Sequence, residues 1–71
     1  MIETTIGALT VGDLFSFNND EICLFRVTDV EELTEDIVIV SCKGITNAYK
    51  YDRYKTFKGK LLKSLKVYVT E

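Results

Sequence analysis

Two stretches decide the fold: Ile22-Cys23-Leu24-Phe25-Arg26-Val27-Thr28 and Ile37-Val38-Ile39-Val40-Ser41-Cys42. Both are rich in branched and aromatic side chains, and neither spaces its apolar residues as a helix would, so both read as strands. The acidic segment Val30-Glu31-Glu32-Leu33-Thr34-Glu35-Asp36 joins them. A hairpin centred between Glu32 and Leu33 sets Cys23 opposite Cys42, Phe25 opposite Val40 and Val27 opposite Val38. That register gathers six apolar side chains on one face and leaves Arg26, Thr28, Ser41 and Lys43 on the other. A slip of one residue would mix the two sets. A register pairing Phe25 with Ile39 is the weaker alternative.

Outward from this hairpin the pattern stays β. Leu9-Thr10-Val11-Gly12-Asp13 reads as an opening turn, with Gly12 supplying backbone freedom and Asp13 able to accept from nearby amides. Residues 14–17 follow as a strand, and Asn18-Asn19-Asp20 as a turn. Lys43-Gly44 reads as a tight turn, and residues 46–51 as a fourth strand with Asn47, Tyr49 and Tyr51 on one side. Asp52-Arg53-Tyr54-Lys55 fits a short 3₁₀ turn, Phe57 an anchor, and Lys58-Gly59-Lys60 another turn. Leu65, Val67 and Val69 alternate with Lys66 and Tyr68 as a final strand. Leu61-Leu62-Lys63-Ser64-Leu65 also fits the start of a helical turn. The expectation is one small all-β domain over residues 1–71, a five-stranded antiparallel barrel whose closure removes aggregation-prone edges.

Charge is divided along the chain. Residues 1–42 carry nine acids and one base, Arg26, whereas residues 43–71 carry eight bases and two acids, Asp52 and Glu71. A net charge of −2 therefore covers halves of −8 and +6. The 46% apolar fraction is that of a folded globule. The absence of a long apolar run and of a basic, apolar leader predicts a cytoplasmic protein with no membrane association. There is no histidine and there are two cysteines, Cys23 and Cys42. That composition removes Ser-His and Cys-His nucleophile pairs, disfavours a zinc site, and predicts buried reduced thiols. The isolated glycines make no phosphate-cradling loop. No enzyme, no cofactor and no metal is the expectation.

Leu9-Thr10-Val11-Gly12-Asp13-Leu14-Phe15 resembles the opening of small Src-homology-3-like (SH3-like) barrels, and Tyr51-Asp52-Arg53-Tyr54 is similar to a stretch near the end of small tailed-phage proteins of that class. The resemblance implies an SH3-like barrel and a binding role, such as a phage accessory protein or inhibitor acting in the host cytoplasm. Tryptophan is absent, and so is the acidic-aromatic loop of the peptide-binding members, which speaks against proline-rich peptides as ligands.

Two surfaces stand out as binding candidates. Tyr49, Tyr51, Arg53, Tyr54, Lys55 and Lys58 interleave rings with bases. Tyr and Arg anchor protein interfaces, and the same chemistry suits stacked bases and phosphates of a single strand. The plainer alternative is that the rings fill the core and the lysines are solvated. Glu31, Glu32, Glu35 and Asp36 crowd one turn as an acidic patch. Their spacing matches no calcium loop, so a basic protein surface or the chain's own lysines are better partners. The expected partner is a protein, with single-stranded nucleic acid the alternative and self-association through opposite charge a further option.

Overall fold

The structure, a computed structural model, describes residues 1–19, 23–45 and 56–70. Six strands build one antiparallel sheet: β1 (Ile2–Thr5), β2 (Leu14–Ser16), β3 (Phe25–Glu32), β4 (Ile37–Gly44), β5 (Thr56–Leu62) and β6 (Lys66–Val69). Their order across the sheet is β1-β6-β2-β3-β4-β5. A single 3₁₀ turn, Ile6–Ala8, is the helical element among the described residues. The all-β expectation holds, but among the described residues the ladder does not close, and β1 and β5 are its two edges. The expected five-stranded closed barrel thus gives way to a six-stranded open sheet. Three loop hydrogen bonds tie that sheet at one end. The Ile6 and Gly7 amides donate to the Leu65 and Lys63 carbonyls, and the Lys63 amide donates to the Asp36 carbonyl.

The β3–β4 hairpin holds the centre, and its register departs from both registers read from the sequence. Phe25 stands opposite Gly44 and Val27 opposite Cys42; beyond a bulge, Asp29 faces Ser41, Val30 faces Val40 and Glu32 faces Val38. The turn lies later than expected. The Thr34 hydroxyl accepts from the Asp36 and Ile37 amides, at 3.2 and 3.0 Å, and this local bonding fixes the loop at residues 33–36. Strand β3 therefore runs through Glu32, where the sequence suggested a turn.

Thr28 is the extra residue at the bulge. An unbroken ladder would alternate Val27 in, Thr28 out, Asp29 in. Burying an unpaired carboxylate costs several kcal/mol, whereas turning Val30 outward forfeits about 2 kcal/mol of apolar burial. The bulge absorbs one position, so Val27 and Val30 share the inner face and Asp29 faces solvent. The apolar set expected on one face is in fact buried: Phe25, Val27, Val38, Val40 and Cys42, with Cys23 half-buried beyond the strand.

Ile6, Leu9, Phe15 and Val67 complete the core. All four phenylalanines of the chain meet, with Phe17 edge-on to Phe15, Phe25 and Phe57 at centroid distances of 5.2, 5.6 and 6.0 Å. The opening turn forms as read. Gly12 has φ 97°, the Asp13 amide donates to the Thr10 carbonyl, and the Asp13 carboxylate accepts from the Thr10 amide and hydroxyl.

Three other expectations are corrected. Ile2–Thr5 is a strand, paired with β6 from Ile2↔Val69 to Thr5↔Lys66. Lys58-Gly59-Lys60 is not a turn but the middle of β5, paired with Val40 across Gly59. The Phe57 ring lies along the strand over Gly59, so close that a β-carbon there would sit 2.8 Å from the ring. The ring covers the backbone that glycine leaves bare, which lets glycine serve in an edge strand. Leu61 and Leu62 belong to β5 rather than to a helical turn, and the final strand begins at Lys66. The expected strand at 46–51 and 3₁₀ turn at 52–55 lie outside the described residues.

The bulge makes an unusual deletion prediction. Removing Thr28 leaves Val27 in, Asp29 out and Val30 in, so the variant should fold with a cooperative thermal transition and lose no more than about 1 kcal/mol. Removing Arg26 instead turns Phe25 outward and should abolish that transition. Thermal unfolding of the two deletion variants checks this; equal damage from both would contradict the bulge.

Candidate docking face

The sheet has two unlike faces. Phe57, Gly59 and Leu61 of β5 stand opposite Cys42, Val40 and Val38 on the inner, core-bearing side. The outer face of β3–β4–β5 is built by the alternate residues, and its order follows from the register. One row runs Asp29–Ser41–Lys58, the next Glu31–Ile39–Lys60, and the next ends in Ile37–Leu62. Leu33 sits beside this last row, its amide bonded to the Ile37 carbonyl. At the other end lies Arg26–Lys43–Thr56.

The result is a striped surface. Acids line β3, lysines line β5, and half-buried Ile37, Ile39 and Ser41 of β4 lie between them. Leu62 is 58% exposed and Leu33 46%, so the apolar row opens onto solvent. The division of charge along the chain thus becomes two neighbouring stripes rather than two opposite poles. Strands are spaced about 4.8 Å apart, which separates the stripes by about 10 Å. At that distance in water a unit pair gains only about 0.4 kcal/mol before salt screening. Among the described residues, Asp29, Glu31, Lys58 and Lys60 have no ion-pair partner. Their charge is free to act on something outside the chain.

The acidic patch read from the sequence is divided by the fold. Glu31 joins Asp29 on the outer face. Glu32 points to the other side and pairs with the Lys63 ammonium. That hydrogen bond and charge hold the Glu32 carboxyl below the usual carboxylate range, against a smaller opposing effect of burial. Glu35 and Asp36 sit exposed in the hairpin turn. Lys66 and Glu3 make a second pair between the basic and acidic halves, at 3.2 Å. Of the expected partner-binding residues, Lys58 stands on the outer face; Tyr49, Tyr51, Arg53, Tyr54 and Lys55 lie outside the described residues. Asp29, Ile37, Ile39, Lys60 and Leu62 were not singled out from the sequence. Their only signal is alternation within strands whose register the bulge hides.

A groove of about 340 Å³ opens elsewhere, lined in part by Leu9, Asp13, Leu14, Arg26 and Val69. Its carboxylate, Asp13, is occupied by Thr10, so the groove offers Arg26 as its one uncommitted charge. Among the described residues no three Cys, Asp or Glu side chains gather as a metal site, and no helix is long and apolar enough to cross a membrane. Both cysteines are free, and Cys42 faces Val27 rather than Cys23. Burial pushes the Cys42 thiol up to about 11. Comparison with known protein families, curated proteins and solved structures finds no match.

Two outcomes follow from these groups. With its pKa at about 11, Cys42 holds roughly one part in a thousand as thiolate at pH 8. Native protein given a thiol-alkylating reagent should therefore show its fast adduct at Cys23, by mass spectrometry, and none at Cys42 until unfolded; fast Cys42 labelling contradicts its burial. The raised thiol also adds stability that is complete below the ordinary thiol range and lost as pH rises toward 11. Glu32 acts in the opposite sense. Its lowered carboxyl adds stability above the ordinary carboxylate range, lost as pH falls through the folded value. Denaturant midpoints should fall less steeply between pH 5 and pH 3 in Glu32→Gln than in the native chain; identical slopes would remove the Lys63 pair from the account.

Proposed function

We propose that the chain is a non-catalytic binding module that docks on another protein through the outer face of β3–β4–β5. The observation that carries this reading is an apolar patch, Ile37 and Ile39 on β4 with Leu62 beside Ile37 at the end of β5, flanked by a free acidic stripe on β3 and a free lysine stripe on β5. Protein interfaces share that layout, with an apolar centre and a charged rim that orients the partner and speeds encounter.

The open sheet is read as an SH3-like barrel short of closure. Its support is the contact between the Ile6–Ala8 turn, which follows β1 at one end of the strand order, and β5 at the other end. The role as a phage accessory or inhibitor protein in a host cytoplasm rests on the Leu9–Phe15 and Tyr51–Tyr54 resemblances. Tyr49, Tyr51, Arg53, Tyr54 and Lys55, the other residues proposed for partner binding, precede β5 in the chain.

Single-stranded nucleic acid is the rival, through the rings and bases of residues 49–66. The bipolar face favours a protein, because Asp29 and Glu31 stand within about 10 Å of Lys58 and Lys60 and repel phosphate. Were four lysines to contact a strand, log K against log salt should slope by roughly −3.

Ile39→Arg combined with Leu62→Arg removes the apolar patch at positions that are not in the core. Immobilised native chain should retain a protein partner after nuclease treatment, and the variant should lose it while keeping its thermal midpoint. Equal retention by both, or loss of the partner on nuclease treatment, would contradict the docking reading.

A further inference from the structure

The striped face is complementary to itself about one particular axis. Consider two copies packed outer face to outer face. A two-fold axis lying between them along β4 keeps each residue's height on the strand and exchanges left for right. Strand β3 of one copy then lies over β5 of the other. Asp29 meets Lys58 and Glu31 meets Lys60, and each contact occurs twice. Ile39 and Ile37 meet their own counterparts in the middle, and Leu33 comes over the Leu62 side. A two-fold across the strands does the reverse, laying acids on acids and lysines on lysines. The charge pattern therefore selects one isologous arrangement out of two.

From this we infer that a second copy of the chain occupies the outer face, as a symmetric dimer with its axis along β4. The inference rests on the docking reading and names the partner of that same face. Packed sheets lie about 10 Å apart, which is within reach of a lysine and a carboxylate extending toward each other. The Lys43 side chains meet at the end of the patch, where a crossing of about 30° between the sheets separates them in solvent.

Size sets the strength. Strands of eight, eight and seven residues cover roughly 14 by 25 Å, on the order of 400 Å² per copy. Stable interfaces bury about 800 Å² per partner. The dimer is accordingly weak, micromolar or weaker, and strongest at low ionic strength.

Sedimentation velocity from about 10 μM to 1 mM, in low salt, tests this on the whole chain. Native protein should rise from 8.1 kDa toward twice that mass. Lys58→Glu with Lys60→Glu faces acids with acids and should weaken association at least tenfold. The fourfold exchange Asp29→Lys, Glu31→Lys, Lys58→Glu, Lys60→Glu keeps the net charge of −2 and restores complementarity, so it should self-associate like the native chain. Fourfold-exchanged and native chains should not mix, since lysine then faces lysine. Native protein that stays monomeric to 1 mM overturns the inference, as does a fourfold variant that stays monomeric while retaining the native thermal midpoint. Either result leaves docking on a different protein to the Ile39→Arg, Leu62→Arg comparison, so the two readings fail separately.

Discussion

One irregularity in the β3–β4 ladder governs this molecule. Thr28 is spent on a bulge, and the chain on either side keeps its apolar residues inward. Its energetic basis is the exclusion of the Asp29 carboxylate from the core in favour of Val30. Both faces of the sheet depend on that choice. Inside, Val27 and Val30 meet Cys42 and Val40; outside, Asp29 and Glu31 come into line as an acidic stripe. Without the bulge the core would hold a charge and the stripe would not exist.

The rest of the architecture arranges other groups around this hairpin. β5 joins its far side and brings Lys58 and Lys60 into the rows that hold Asp29 and Glu31. The lysines also suit an edge strand, where charge discourages unwanted pairing. At the end of the hairpin, Lys63 ties the sheet together. Its amide bonds the Asp36 carbonyl, its carbonyl accepts from Gly7, and its ammonium pairs with Glu32. Gly7 is suited to this approach, since a β-carbon there would lie 2.9 Å from that of Lys63. The basic half is thus partly consumed in holding the fold and partly left on the surface.

Particular residues show where sequence reasoning reaches and where it stops. The alternation of Val38, Val40 and Cys42, the Gly12-Asp13 turn and the Val67–Val69 strand are local signals, and each forms as read. The register is not local. It depends on a bulge that no propensity marks and on a turn that Thr34 closes with its hydroxyl. β1 has one apolar residue, Ile2, in four, so its strand character comes from pairing with β6. Lys58-Gly59-Lys60 has the composition of a turn and is a strand because β4 pairs with it and Phe57 covers the glycine. The candidate site was legible only in part: Glu31 and Lys58 were recognised as charged candidates, but the apolar row between them appears once the register is known.

The cross-strand contacts of the hairpin test this account most directly. In a nuclear Overhauser spectrum of the native chain, the backbone of Val27 should contact that of Cys42, Asp29 that of Ser41, and Glu31 that of Ile39, with Thr28 bulged between the first two pairs. An unbroken ladder placing Thr28 opposite Ser41 and Asp29 opposite Val40 would contradict it, and with it the striped face.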